Sequence, residues 1–330
     1  SDSMQYIILD MEWNQPWPGS YSAKKQLPSP LRGEIVQIGA VRMTEGQQVA
    51  DEFQILIRPK YYRKMNRKVA SLTGIHDSVL REKGVSFPEA VAQFQTWCGE
   101  DCVFLTWGFD DITVLRENLA VFGLEADWTA RWYNAQLIFN AQTDGSSAQK
   151  ALSTAMQMMD IEPTRAAHDA LGDAYHTALV CQRLRLADGI AAYEAAVQAH
   201  ENGFHGAELP GCIGRAVFHG YADKTAALGA MSAKENVCPV CGGQMTAGKW
   251  YSQQGRRYLS KAHCEKDGDF YIRVRLVHEQ DALRVSRLVY EPTEQVCKSY
   301  AALADKPRPR RPRRRKTARV KAKPAEPKNA

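Results

Sequence analysis

No apolar run in this chain approaches the roughly 20 residues needed to cross a bilayer, so a membrane-embedded protein is not expected. The stretch after Met4 has neither the basic start nor the long apolar core of a signal peptide. Ser1-Asp2-Ser3 ahead of it reads as an expression scar, and secretion is not expected either. Cysteine is sparse, eight in 330 residues, and lacks the spacing of a disulfide framework, which points to reduced thiols and a cytoplasmic location. No internal repeat recurs, which removes repeat architectures. Acidic residues nearly vanish at the C-terminal end: residues 306–330 hold 12 Lys and Arg against one acid, Glu326, a net of +11. Because the whole chain is +6, residues 1–305 carry −5, a mildly acidic body with a basic tail. What remains is ordinary for a globular protein, 44% hydrophobic, in a chain longer than one usual domain. One sizeable core plus something smaller follows.

Residues 5–9, 34–42 and 52–58 read as three consecutive strands, the first an apolar run suited to burial on both faces. A loop rich in Pro, Gly and Ser, residues 14–30, separates the first two, and Pro59 ends the third. The period then becomes helical. A capping Ser86 and Pro88 precede Val91, Phe94 and Trp97 at helical spacing over residues 86–97. Residues 102–106 predict a fourth strand, and residues 111–122, 148–159, 170–186 and 189–199 predict helices. Strands first, then alternating strand and helix, predict an α/β fold with a mixed sheet flanked by helices. The expected organisation is a domain over residues 4–200, a linker over 201–235, a small zinc-ribbon-like β unit over 236–295 and a basic disordered tail over 306–330. In that tail, Pro and basic residues leave almost nothing to bury.

Five residues carry the chemistry. Asp10 and Glu12 stand two apart after Tyr-Ile-Ile-Leu, and side chains at i and i+2 of a strand share a face, so both carboxylates can hold one cation. Their desolvation at the end of a central strand is costly unless a metal compensates it. A strand that merely emerges into water is the plain alternative. Asp111 follows Trp107-Gly108 at a strand-to-helix corner, where ligands of open α/β sheets gather. It is preferred to Asp110 because Val114 and Leu115, three and four positions on, can be buried while Asp111 faces a cleft. His168 and Asp173 are five apart, about 140° and 7.5 Å in regular helix, so His168 is expected in the loop before the helix that carries Asp173.

These motifs, DxE on the first strand, WGxxD after the fourth and HDALGDAxxTA, resemble the three exonuclease motifs of the DEDDh branch of the DnaQ-like 3′-to-5′ exonucleases, over residues 4–186. Glu34-Ile-Val-Gln-Ile-Gly-Ala-Val41, Ile57-Arg-Pro59 and Leu72-Thr-Gly-Ile75 resemble further family signatures, and the Trp-Gly form of the second motif is similar to the KapD-like branch, related to enzymes that trim RNA. The resemblance implies a ribonuclease H-like fold and release of nucleoside 5′-monophosphates from single-stranded RNA or DNA 3′ ends. RNA is favoured through the branch alone. Four hard oxygen donors, Asp10, Glu12, Asp111 and Asp173, suit two Mg²⁺ or Mn²⁺ ions, with Asp10 expected to bridge them. His168 suits the general base, because an imidazole can exchange a proton near neutral pH. Where the family commonly has Thr after the Glu, this chain has Trp13. Trp13 and Trp107 are candidate contacts to the nucleic acid.

Cys238-Pro-Val-Cys241-Gly-Gly has the form of a zinc knuckle, two thiolates on a turn that glycine permits. The return arm, His263-Cys264-Glu-Lys-Asp267, offers Cys264 as the third ligand and leaves His263 or Asp267 as the fourth. One structural Zn²⁺ is expected. Beyond it, Tyr271, Arg273 and Arg275 alternate with apolar residues and could form a platform for phosphates and a stacked base. The polybasic tail should hold polyanions with salt-sensitive affinity. Cys98, Cys102, Cys181, Cys212 and Cys297 read as packing or surface thiols, and His176 as a surface residue. The rival readings are a DNA 3′-end trimming enzyme, a nucleic-acid-binding protein that has lost its chemistry, and a structural adaptor; oligomeric state is not legible.

Overall fold

The computed structural model describes residues 3–204 and 209–306, and the chain divides into two units, Ser1–Glu208 and Leu209–Ala330. The basic stretch from residue 307 lies outside the described residues. No described helix is long and apolar enough to cross a membrane.

The first unit is built on a five-stranded mixed sheet: β1 (Gln5–Asn14), β2 (Glu34–Met43), β3 (Val49–Leu56), β4 (Cys102–Thr106) and β5 (Trp132–Asn134), in the order β3-β2-β1-β4-β5. β1 pairs antiparallel with β2 and parallel with β4, and is therefore central. Its alternation feeds two cores. Tyr6 and Ile8 pack with Leu105, Phe139, Ala174 and Ala178 on one face, while Ile7, Leu9 and Met11 pack with Phe94 and Leu115 on the other. Asp10 and Glu12 continue the even-numbered face, the one covered by the helix Ala170–Gln182. The expected architecture, a mixed sheet flanked by helices, is present. The helix Phe87–Cys98 starts as anticipated, with the Ser86 hydroxyl accepting the Glu89 N–H at 3.3 Å.

Two of the departures from the sequence reading of this unit bear on the site. β1 runs through Asn14, so the acidic pair lies inside the strand rather than at its end. β5 and the helix Ala135–Gln142 were not anticipated; this short edge strand and the helix Asn134 caps have too few periodic residues to stand out.

The second unit is a six-stranded antiparallel sheet. β6 (Cys212–Tyr221), β11 (Ala282–Tyr290), β10 (Gly268–Glu279), β9 (Arg257–Cys264) and β7 (Thr246–Ala247) lie in that order, with β8 (Tyr251–Gln253) also on β9. The expected linker over 201–235 is corrected here. Residues 212–221 are an edge strand, and Ala227 and Met231 of the helix Lys224–Ser232 enter the core of this unit. Gly214 and Gly220 interrupt the apolar alternation that marks a strand, yet an edge strand pairs through its backbone regardless. The unit also extends past residue 295, with the helix Glu294–Ala304.

Candidate active site

Side-chain oxygens of Asp10, Glu12 and Asp173 all lie within 4.8 Å of one another. The convergence depends on how closely a helix can approach the sheet. Gly39 of β2 pairs with Asp10 across the ladder, and a Cβ built there would lie 2.1 Å from the Leu171 backbone nitrogen. Only glycine lets the first turn of Ala170–Gln182 rest on the strand, which brings Asp173 over Asp10. Asp169 caps that helix by accepting the Gly172 N–H at 3.0 Å, and Gln37 ties the cap to β2 by donating to Asp169 at 3.3 Å and accepting the Ala170 N–H at 3.2 Å.

Asp111 arrives from the other side. The turn after β4 passes through Gly108 at φ +109°, a conformation that favours glycine, and its N–H is accepted by Asn134 at 3.0 Å. The helix Asp110–Val121 then starts with Asp111 buried and Asp110 exposed. The Asp111 carboxylate accepts the Met11 N–H at 3.0 Å, which holds it against β1 between the two acids of the DxE pair.

Crowding shifts these groups together. Burial first, then the neighbouring Asp111, Glu12 and Asp173, raises the Asp10 carboxyl well above its ordinary value. Burial with Asp173 and Asp111 pushes Glu12 up to about 8. Burial pushes Asp111 up to about 7, against the Met11 N–H that favours its anion. Asp173 is also raised, chiefly by burial and against the His168 N–H. Among the described residues no Lys or Arg forms an ion pair with any of the four. Anions that desolvate one another without a cationic side chain are what hard divalent ions require, so the donor set fits such ions.

His168 lies in the loop before the helix, as expected, at φ +60° and exposed. The Asp173 carboxylate accepts its backbone N–H at 3.1 Å, leaving the imidazole outside the helix. The anticipated surface position of His176 is corrected: it is buried, and its Nε2 accepts the N–H groups of Thr164 and Arg165 at 3.2 and 3.3 Å. Burial holds its pKa below the ordinary value. His176 thus fastens the loop that presents His168. It stands three residues after Asp173 on the same side of the helix, a spacing that does not tell a loop contact from solvent. Asp169 and Gln37 were also missed, although both stand inside quoted motifs, HDALGDA and EIVQIGAV, whose spacing does not reveal the hydrogen bond between them.

The candidate nucleic-acid contacts fare differently. Trp107 is half-buried, donates to Lys150 O at 2.9 Å and packs edge-on against Phe139, so its ring is committed to the fold. Trp13, after an irregularity in the β1–β2 register, packs against Gly33 and the rim of the core. Tyr271 and Arg273 do share a face, but both are buried. Tyr300 of Glu294–Ala304 covers Tyr271 at 5.4 Å, and Arg273 donates to the Tyr290 hydroxyl at 3.1 Å. Only Arg275 is half-exposed, so the expected open platform is corrected.

In the second unit, ligand atoms of Cys238, Cys241, Cys264 and Asp267 lie within 4.8 Å of one another. Cys238 and Cys264 sulfurs are 3.2 and 3.5 Å from an Asp267 oxygen, and those of Cys241 and Cys264 are 3.6 Å apart. Backbone N–H groups of Asp267 and Lys266 hold the Cys264 thiol below its ordinary pKa. Three sulfurs and a carboxylate fit a closed zinc site, and the cluster fits a zinc-ribbon turn. His263 is corrected as a ligand candidate. Successive residues of β9 point to opposite faces, so with Cys264 turned to the cluster, His263 pairs instead with Asp269 at 2.8 Å.

Residues 26–181 match the family model described as Exonuclease, RNase_T. Asp10 and Glu12 precede the matched stretch. Among curated proteins, a PolC-type DNA polymerase III of Thermotoga maritima is 30% identical over 155 residues, covering 47% of this chain and 11% of that protein. The same enzyme of Thermotoga petrophila is 29% identical over the same extent. The chain thus spans about a tenth, 11%, of the length of the curated relatives it matches. Among solved structures, the nuclease domain of 3′hExo, a DEDDh family member bound to rAMP, superposes with TM-score 0.49 at 19% identity, over 58% of this chain and 95% of that one. E. coli Exonuclease I in complex with a dT13 oligonucleotide superposes with TM-score 0.45 at 15% identity, over 78% and 55%.

Proposed function

We propose that the first unit is an exonuclease domain that removes nucleotides one at a time from the 3′ end of single-stranded nucleic acid, RNA in preference to DNA, with two Mg²⁺ or Mn²⁺ ions. The observation that carries this reading is the meeting of Asp10, Glu12 and Asp173 within 4.8 Å, with Asp111 one hydrogen bond from β1. Divalent ions bound by these carboxylates supply charge for the leaving oxygen and acidity to the attacking water. The other roles belong to the chain. Asp10 and Glu12 set the position of the terminal phosphodiester on the even-numbered face of β1. His168 takes the proton that water loses as its oxygen bonds to phosphorus; the 3′-oxygen of the shortened strand leaves, and a nucleoside 5′-monophosphate is released. His176 and Asp173 hold the His168 loop by hydrogen bonds to its backbone.

The preference for RNA rests on the resemblance of Trp107-Gly108 to the RNA-trimming branch. DNA trimming is the second reading, favoured by the 30% identity to a PolC-type DNA polymerase. Matched RNA and DNA oligonucleotides labelled at the 5′ end test both. The expected result is a ladder of products shortened from the 3′ end, faster on RNA and abolished by chelator. Equal cutting of internal bonds, or turnover in the presence of chelator, would defeat the reading. In the second unit we assign one structural Zn²⁺ to Cys238, Cys241, Cys264 and Asp267. Such thiolates need a reducing compartment, which supports a cytoplasmic location.

A further inference from the structure

Lys60, Arg63, Lys64 and Arg81 are all exposed, and among the described residues none forms an ion pair with a carboxylate. They rim a cavity of about 710 Å³ in the first unit. Its floor is apolar, made by Leu80, Phe87 and Phe122, with the two phenyl rings 4.9 Å apart. Asp77 is its only acidic lining residue, and one of its oxygens is occupied by the Met65 N–H at 2.9 Å. Arg58, also on the wall, spends its guanidinium on the carbonyls of Leu80, Arg81 and Gly84. The volume is that of a small-molecule site, roughly 300–1,000 Å³, and a cationic rim over aromatic carbon suits phosphates and a base.

A second cavity of about 410 Å³ adjoins it, and Lys64 lines both. Its walls include Gln15, Arg67 and Trp17, a residue 45% exposed with the Lys68 ammonium 5.5 Å from its ring centroid. Gln15, on its wall, is three residues past Glu12 in the sequence, about 10 Å of extended chain. Asn14, buried at the end of β1, fixes the relation. Its amide donates to the carbonyls of Tyr62 and Lys64 at 2.9 Å each and accepts the Asn66 N–H at 2.9 Å. Glu34 accepts the N–H groups of Lys60, Tyr61 and Tyr62 at 2.7–2.8 Å from β2. The cationic loop is thereby bolted to both strands that frame the acidic cluster.

We propose that the two cavities form a track for the 5′ side of a single-stranded nucleic acid whose 3′ end lies at Asp10 and Glu12, Trp17 and Phe122 meeting bases and the cations meeting phosphates. The inference rests on the nuclease reading. A 3′ terminus at the carboxylates leaves only the 5′ side of the strand to be held elsewhere. A free mononucleotide needs one cluster of cations, whereas Arg67, Lys64, Arg63 and Arg81 are strung through two joined cavities, as a polymer requires.

The test compares the full chain with the double variant Lys64→Glu, Arg81→Glu, chosen because neither side chain makes a hydrogen bond within the fold. Hydrolysis of a 5′-labelled trinucleotide and of a dodecamer is followed at several salt concentrations. The track predicts that KM for the dodecamer rises about tenfold, with its salt slope reduced by about two, while kcat and all constants for the trinucleotide stay put. Equal effects on both oligonucleotides, or on neither, overturn it. Calorimetry with adenosine monophosphate forms the other arm: binding lost in the double variant with an unchanged dodecamer KM makes the cavity a free-nucleotide site and also overturns the track. If the wild type degrades neither oligonucleotide, the nuclease reading fails by itself. Dodecamer binding by fluorescence anisotropy, weakened about tenfold in the variant or unchanged, then decides the track separately.

Discussion

Gly39 lies so close under Leu171 that a methyl group on it would sit 2.1 Å from the Leu171 backbone nitrogen. A hydrogen at this position is therefore part of the active-site geometry, because the same helix carries Asp173 toward Asp10. Gly39→Ala should lift the helix, lower unfolding stability by about 1–3 kcal/mol as overpacking does, and reduce turnover more than a distant variant of equal instability. Urea unfolding and single-turnover hydrolysis check this. A variant of wild-type stability and rate would show that the helix has room to spare.

The roles of His168 and Asp10 should separate. His168→Asn, which keeps a residue tolerant of φ +60°, should cost about 10²–10⁴-fold in turnover while Mn²⁺ binding persists. Asp10→Ala should lose both. Isothermal titration with Mn²⁺ beside product release on a labelled oligonucleotide reads the two properties, and full activity of either variant removes that residue from the chemistry.

His176 gives a pH dependence of known sign. Its folded pKa is depressed by burial, and the unfolded chain retains the ordinary value near about 6.5. The unfolded state then binds more protons between the two values, so the contribution of His176 is complete above about 6.5 and is lost as pH falls through the lower folded value. Protonation also deprives Thr164 and Arg165 of their acceptor. His176→Gln should flatten this part of the stability profile, as measured by urea melts across the acid range. An unchanged profile would assign the acid sensitivity to other groups.

Zinc content should follow Asp267 and ignore His263. Elemental analysis of the purified chain should give one zinc per molecule, reduced by Asp267→Ala, retained by His263→Ala and retained or tightened by Asp267→Cys. Chelation should lower the melting temperature of the second unit, since a closed structural site contributes to folding.

Much of the first unit was legible because its signals are local. The apolar run before Asp10, the two-residue spacing to Glu12 and the Ser86 cap each work within a few residues. Asp111 could be separated from Asp110 because helical spacing buries Val114 and Leu115 on the same side. The failures came from layers the chain adds later. Alternation in β10 correctly grouped Tyr271 with Arg273, but whether that face meets water depends on Tyr300, nearly thirty positions on. His176 was misplaced for the same reason: one helix face reads alike whether it meets solvent or a loop. β6 went unseen because its partner β11 stabilises it through the backbone, which leaves no trace in side-chain pattern.

Asn14 has a practical corollary. Surface loops of this kind ordinarily accept extra residues, grafted epitopes or altered length. Here the carbonyls of Tyr62 and Lys64 and the N–H of Asn66 must all reach one buried amide, so the spacing from 62 to 66 is dictated from inside. Tags and fusions belong elsewhere on the surface: lengthening this loop by even one residue would unseat the end of the strand that bears Glu12.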